Sequence, residues 1–93
     1  MSPTYVRGEW FHDFEDEPRF IYSELDDEGY ELRKIEVFKD GSIGKASTDN
    51  PESGSTALAD VAYPSIEEIN AQKEFHMEEI SAAEFEDLWK SSG

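Results

Sequence analysis

The chain has 93 residues, no cysteine, and 23 Asp and Glu against 8 Lys and Arg, a formal net charge of −15 at neutral pH. This length sets a single domain, 1–93, and the missing cysteine excludes a disulfide framework and a thiolate metal site. No stretch approaches the roughly 20 apolar residues of a membrane-spanning helix, and nothing from Ser2 to Gly8 reads as a signal peptide.

Thr4 to Phe14 alternates, with Val6, Trp10 and Phe14 apolar between Arg7, Glu9 and Asp13, the pattern of a half-buried strand. The acidic run Asp13–Glu17 with Pro18 predicts a turn, because proline cannot donate to a ladder. Arg19 to Leu25 reads as a second strand, with Phe20 and Tyr22 on one face and Ile21 and Leu25 on the other. Asp26-Asp27-Glu28-Gly29 is a second acidic turn, its glycine free to take a positive φ. Tyr30 to Lys39 is a third strand whose apolar phase changes, from Tyr30 and Leu32 to Ile35 and Val37. Either a bulge near Arg33-Lys34 or cover on both faces accounts for the change. Asp40-Gly41 is a hairpin signal, with Ser42 to Ala46 returning. Residues 47–60 are loop-like in composition and expected to be mobile.

The last third changes character. Ser65-Ile66-Glu67-Glu68 and Ser81-Ala82-Ala83-Glu84 are capping boxes that open helices. The first helix carries Ile66 and Ile69 on one face, and the second carries Phe85, Leu88 and Trp89 at helical spacing. Phe75 to Ile80 reads as a fifth, short strand. The expected fold is α+β: a four- to five-stranded antiparallel meander, one face covered by the C-terminal helix, with a short additional helix.

Catalytic and cofactor signatures are absent from the pattern. His12 and Asp13 adjoin an acidic turn, but neighbours on a strand point to opposite faces and would not share a ligand sphere. No calcium-loop spacing, zinc-protease spacing or phosphate-cradling glycine loop occurs. So many carboxylates are present that pairs of them carry no information about acid–base chemistry. The reading is a non-enzymatic binding protein with no cofactor and no metal; the competing one is a small enzyme or metal-binding domain around His12. In a further reading the domain has a housekeeping role and its charge serves solubility alone.

Solubility asks for only about 2–8 charges on a small domain, so this excess points to a basic protein partner. Nucleic acid and anionic lipid would be repelled. The candidate partner-binding residues are the two acidic turns, Asp13, Glu15, Asp16 and Glu17, and Asp26, Asp27 and Glu28. Carboxylates there would steer a basic partner and pair with its Arg and Lys. Phe11, Phe14, Tyr22 and Tyr63 are the candidate aromatic anchors, and each reads equally well as core. The same charge opposes self-association, so a monomer or weak oligomer is expected.

Trp10-Phe11-His12-Asp13-Phe14, Tyr22-Ser23-Glu24-Leu25-Asp26, the run Tyr30–Phe38 with Asp40-Gly41, and Pro64–Asn70, Glu78–Ser81, Glu84-Phe85-Glu86 and Trp89 together resemble a family of small, acidic, uncharacterised bacterial domains. The resemblance spans nearly the whole chain and implies no active site. It implies a role as a cytoplasmic immunity protein, occluding a basic toxin that cleaves nucleic acid. The alternative is a DNA-mimicking inhibitor of another nucleic-acid-binding protein.

Overall fold

Alternating side chains and tight turns build a five-stranded antiparallel sheet, and the two serine-capped segments supply its helices. The computed structural model describes residues 3–50, 52–53, 56–59 and 61–91. In chain order the elements are β1 (Thr4–Trp10), β2 (Pro18–Leu25), β3 (Glu31–Phe38), β4 (Ile43–Ser47), β5 (Glu52–Ser53), β6 (Thr56–Ala57), α1 (Ile66–Asn70), β7 (Phe75–Ile80) and α2 (Ala82–Ser91). The main sheet has the order β4-β3-β2-β1-β7, a four-stranded meander extended by β7 on the far side of β1. Among the described residues no helix is long and apolar enough to cross a membrane.

Both inner turns have the same construction. Asp26 N–H donates to Tyr30 O and Gly29 N–H to Asp26 O; likewise Phe38 N–H donates to Ser42 O and Gly41 N–H to Phe38 O. Gly29 and Gly41 have φ of 92° and 88°, which places each at the left-handed position that closes a three-residue hairpin loop.

Strand alternation sends each strand's side chains to the two faces of the sheet. On one, Val6, Leu25 and Met77 pack with Ile69 of α1, joined by Tyr63, Ile66 and Phe75. On the other, Tyr5 meets Phe85 of α2, their ring centroids 5.3 Å apart. Ile35 and Phe85 are both fully buried. The expected helix over one face is present, and α1 with the chain leading into it covers the opposite face.

Several local boundaries differ from the sequence reading. β1 stops at Trp10 instead of running to Phe14, because the loop beyond it makes its own hydrogen bonds. Pro18 opens β2 instead of ending the turn, at the first residue of the strand, where its missing N–H is tolerated. The phase change in β3 comes from a bulge at Leu32, one residue before Arg33: Glu24 pairs with Arg33 and Leu25 with Glu31, leaving Leu32 unmatched. Within the stretch read as loop, β5 and β6 form a small hairpin and Thr56 is buried. Positions 51, 54, 55 and 60 of that stretch lie outside the described residues.

The 56–63 segment is held by buried polar groups. The Glu31 carboxylate accepts from Ser23 Oγ at 3.0 Å, from Ala59 N–H at 2.6 Å and from the Tyr63 hydroxyl, and pairs with Lys34 Nζ at 3.2 Å. Thr56 Oγ1 donates to Glu36 Oε1 at 2.7 Å. A buried carboxylate is tolerable only with such a full set of partners. Burial, reinforced by the Glu31 charge, pushes the Tyr63 hydroxyl well above the ordinary tyrosine range.

Candidate functional site

The few cations of the chain are distributed unevenly, and that distribution defines the site. Arg33, on β3, donates through Nε and Nη2 to both oxygens of Glu24, at 2.7 and 3.1 Å. Through Nη1 and Nη2 it also donates to both oxygens of Glu86 on α2, at 3.1 and 2.6 Å. Its guanidinium lies 4.9 Å from the Phe85 ring centre and 5.0 Å from that of Trp89. Tyr5 Oη completes the group, donating to Glu24 Oε2 at 2.8 Å. This clasp fastens α2 to the sheet through two bidentate pairs and ring stacking. The Arg33 hydrogen bonds hold the Glu24 and Glu86 carboxyls below their usual range, and those two carboxylates raise Arg33 in turn.

The other arginines are engaged in the same way. Arg7 pairs with Glu78 and, at 3.2 Å, with Glu84, while Arg19 pairs with Glu9 at 3.1 Å. Lys45 Nζ lies over the Trp89 ring at 4.8 Å and donates to Trp89 O. Glu84, read from sequence as part of a capping box, is therefore a cross-link to the sheet, and so is Glu86. The capping is done by the serine hydroxyls, with Ser65 Oγ accepting from Glu68 N–H at 3.2 Å and Ser81 Oγ from Glu84 N–H at 3.1 Å.

The two acidic turns have no such partners. Among the described residues, no Lys or Arg nitrogen lies within ion-pair distance of Asp13, Glu15, Asp16, Glu17, Asp26, Asp27 or Glu28. They stand at opposite ends of β2, as the meander requires. Eight residues at about 3.3 Å each put roughly 25 Å between them, several Debye lengths at physiological salt. They act as two separate patches.

The first patch is a built loop. His12 Nδ1 accepts from Phe14 N–H at 3.0 Å, so its Nε2 carries the proton and faces Pro18 O at 2.8 Å. Lys39 Nζ donates to His12 O at 2.8 Å, tying the loop to the β3–β4 turn. The imidazole packs between Trp10 and Phe14, at centroid distances of 4.4 and 5.5 Å. His12 is thus the pin of this loop, with both ring nitrogens engaged. Around it Asp13, Glu15, Asp16 and Glu17 are exposed, and so are Phe11 and Phe14, at 46% and 63%.

The second patch is smaller. Asp26 Oδ1 accepts from Glu28 N–H at 2.9 Å and Tyr30 N–H at 3.0 Å, so this carboxylate shapes the turn. Asp27 and Glu28 are the acids it presents to solvent. Of the four candidate anchors, Phe11 and Phe14 are available in the first patch. Tyr22 is half-buried in the sheet, and the Tyr63 hydroxyl is committed to Glu31 and Ser23.

Among the described residues no group of three or more His, Asp or Glu is arranged to hold a metal ion. An apolar recess of about 170 Å³ lies among Gly8, Ile21, Pro64, Ile69, Phe75 and Met77, and no acid of either turn lines it. The arrangement can attract, orient and grip a cation-rich surface.

No curated protein and no solved structure shows detectable similarity to the chain. The model of the family described as Domain of unknown function (DUF6881) matches residues 4–93, and the chain belongs to that family.

Proposed function

We propose that the protein is an acidic inhibitor that binds a basic protein, and that its role is that of an immunity protein for a nucleic-acid-cleaving toxin, acting in the cytoplasm. The observation that carries this reading is the division of charge: Arg7, Arg19, Arg33 and Lys34 are paired within the chain, while among the described residues the acids of the 13–17 loop and the 26–28 turn have no Lys or Arg partner. Unpaired carboxylates give a long-range field that accelerates encounter with a cationic surface. Phe11 and Phe14 supply the apolar contact that charge alone lacks, at the position where interfaces concentrate their energy. A nuclease domain carries a basic surface because its substrate is a polyanion, so a surface of this sign fits its cleft.

The test is capture of partners from the host lysate by the tagged chain at low and high salt, beside the variant Asp13→Asn/Glu15→Gln/Asp16→Asn/Glu17→Gln. Retention of one basic protein by the wild type alone, released by salt, supports the reading. Equal retention by the variant removes the loop from the interface, and no retained basic protein removes the inhibitor role.

A further inference from the structure

The face of the sheet that carries α2 is only partly covered. In-register neighbours form rows across the strands: Tyr5–Glu24–Arg33–Ser47, then Arg7–Tyr22–Ile35–Lys45, then Glu9–Phe20–Val37–Ile43. The contacts that fasten α2 fall on the first two rows, through Tyr5, Arg33, Arg7 and Lys45. The third row lies beyond them, at the end of the sheet that the 11–17 loop closes. Its Phe20 and Val37 are half-buried and its Ile43 is 38% exposed. A bulge leaves Arg19 unmatched beside Phe20, and the Arg19 guanidinium stacks 5.8 Å from the centre of the exposed Phe11 ring while pairing with Glu9. The result is an apolar strip, Phe20–Val37–Ile43, with Phe11 under the neighbouring Arg19 guanidinium, at the end of the sheet that the acidic 11–17 loop closes.

Resting on the inhibitor reading, we infer that this strip is the docking face, and that its occupant is a cationic amphipathic helix of the partner, laid beside α2. Charge complementarity selects a cationic occupant, because the loop that closes this end of the sheet carries Asp13, Glu15, Asp16 and Glu17, all exposed. Spacing selects a helix: Phe20 to Ile43 crosses two strand gaps, about 10 Å, and anchors at i and i+7 on a helix are also about 10 Å apart. The fold already uses this arrangement, since Phe85 and Trp89 of α2, one turn apart, sit on the neighbouring rows. A second helix there would complete the half-built layer.

Two synthetic helix-forming peptides of equal positive charge test this, one with leucine at i, i+3, i+4 and i+7 and one with glutamine at those positions. Titrated into the isotope-labelled full chain, both peptides shift the 13–17 amides, and only the leucine peptide shifts Phe20, Val37 and Ile43. It binds about tenfold or more tightly than the glutamine peptide, the gain expected from burying two or three apolar side chains. Ile43→Asn, at an already exposed position, and Val37→Thr, which keeps the shape, abolish that gain, and Val61→Asn at the other end of the molecule does not. Equal affinities, or a gain untouched by Ile43→Asn, overturn the docking face and leave the charge reading standing. Failure of both peptides to move the 13–17 amides overturns the two together. Concentration-dependent shifts of Ile43 without peptide would assign the strip to a second copy of the chain and overturn the proposal.

Discussion

The Arg33 clasp and the 11–17 loop are both rich in acids and aromatic rings, yet they have opposite electrostatic characters. At the clasp every charge has a partner: Glu24 and Glu86 share one guanidinium, and Phe85 and Trp89 stack on it. At the loop the hydrogen bonds run through His12 and the backbone, and among the described residues the carboxylates of Asp13, Glu15, Asp16 and Glu17 have no cation. Acids of the first kind hold the fold together; acids of the second kind work against it by repulsion and are available to something else. A net charge says how many acids are in excess, and only the pairing says which ones.

The largest effect that separates the two regions is on stability. Arg33→Ala leaves the buried Glu24 without its cation and releases α2, so it should lower the unfolding free energy by about 3 kcal/mol, the scale for orphaning a buried charge. Urea denaturation measures it, and a loss under about 1 kcal/mol would show that the clasp is ornamental.

The pH dependence sharpens the same contrast. Glu24 has its pKa depressed by Arg33 in the folded state, so the stability it contributes is present above its unfolded value, about 4.3, and is lost as pH falls through the lower folded value. Stability should therefore hold from pH 7 down to about 5 and fall away below about 4. At the alkaline end Tyr63, raised by burial and by Glu31, holds its proton more tightly when folded. Its contribution is full below the unfolded value of about 10 and is lost as pH climbs past it. Denaturation midpoints between pH 3 and 11 would display both limits.

Ser81→Ala removes the hydroxyl that caps α2 and should cost about 1 kcal/mol, a smaller loss than Arg33→Ala because the clasp still holds the helix. The smallest effect belongs to the loop: Asp13→Asn/Glu15→Gln/Asp16→Asn/Glu17→Gln should leave stability within about 0.5 kcal/mol of wild type or raise it slightly. A marked loss in the same denaturation experiment would mean that those acids are structural.

Elements that depend on local pattern were legible in the sequence. The alternation of β1, the glycines of the two hairpin turns at 29 and 41, and the serine caps at 65 and 81 act within a few residues of themselves. What escaped was long-range. Nothing local distinguishes Glu86 from Asp87, yet Glu86 grips Arg33, 53 positions away, while Asp87 faces solvent. The His12 pin needs the chain to fold back on Pro18, which the alternation pattern conceals by continuing to Phe14. One signal was available for the 56–57 strand: Gly44 lies inside β4, where a Cβ would collide with the Thr56 hydroxyl. A glycine within a strand marks close approach of another backbone. The acidic turns were found by charge alone, but the sequence could not separate the shaping role of Asp26 from the exposed Asp27 and Glu28, or the buried Tyr63 from the exposed Phe14.

The most direct test of the division between structural and presented acids is the affinity of the captured basic partner for the wild type and for the loop-neutralised variant at low salt. The account predicts a loss of about tenfold or more, the scale of removing several charge-assisted contacts, with the unfolding free energy unchanged. Equal affinity for the two proteins would contradict it.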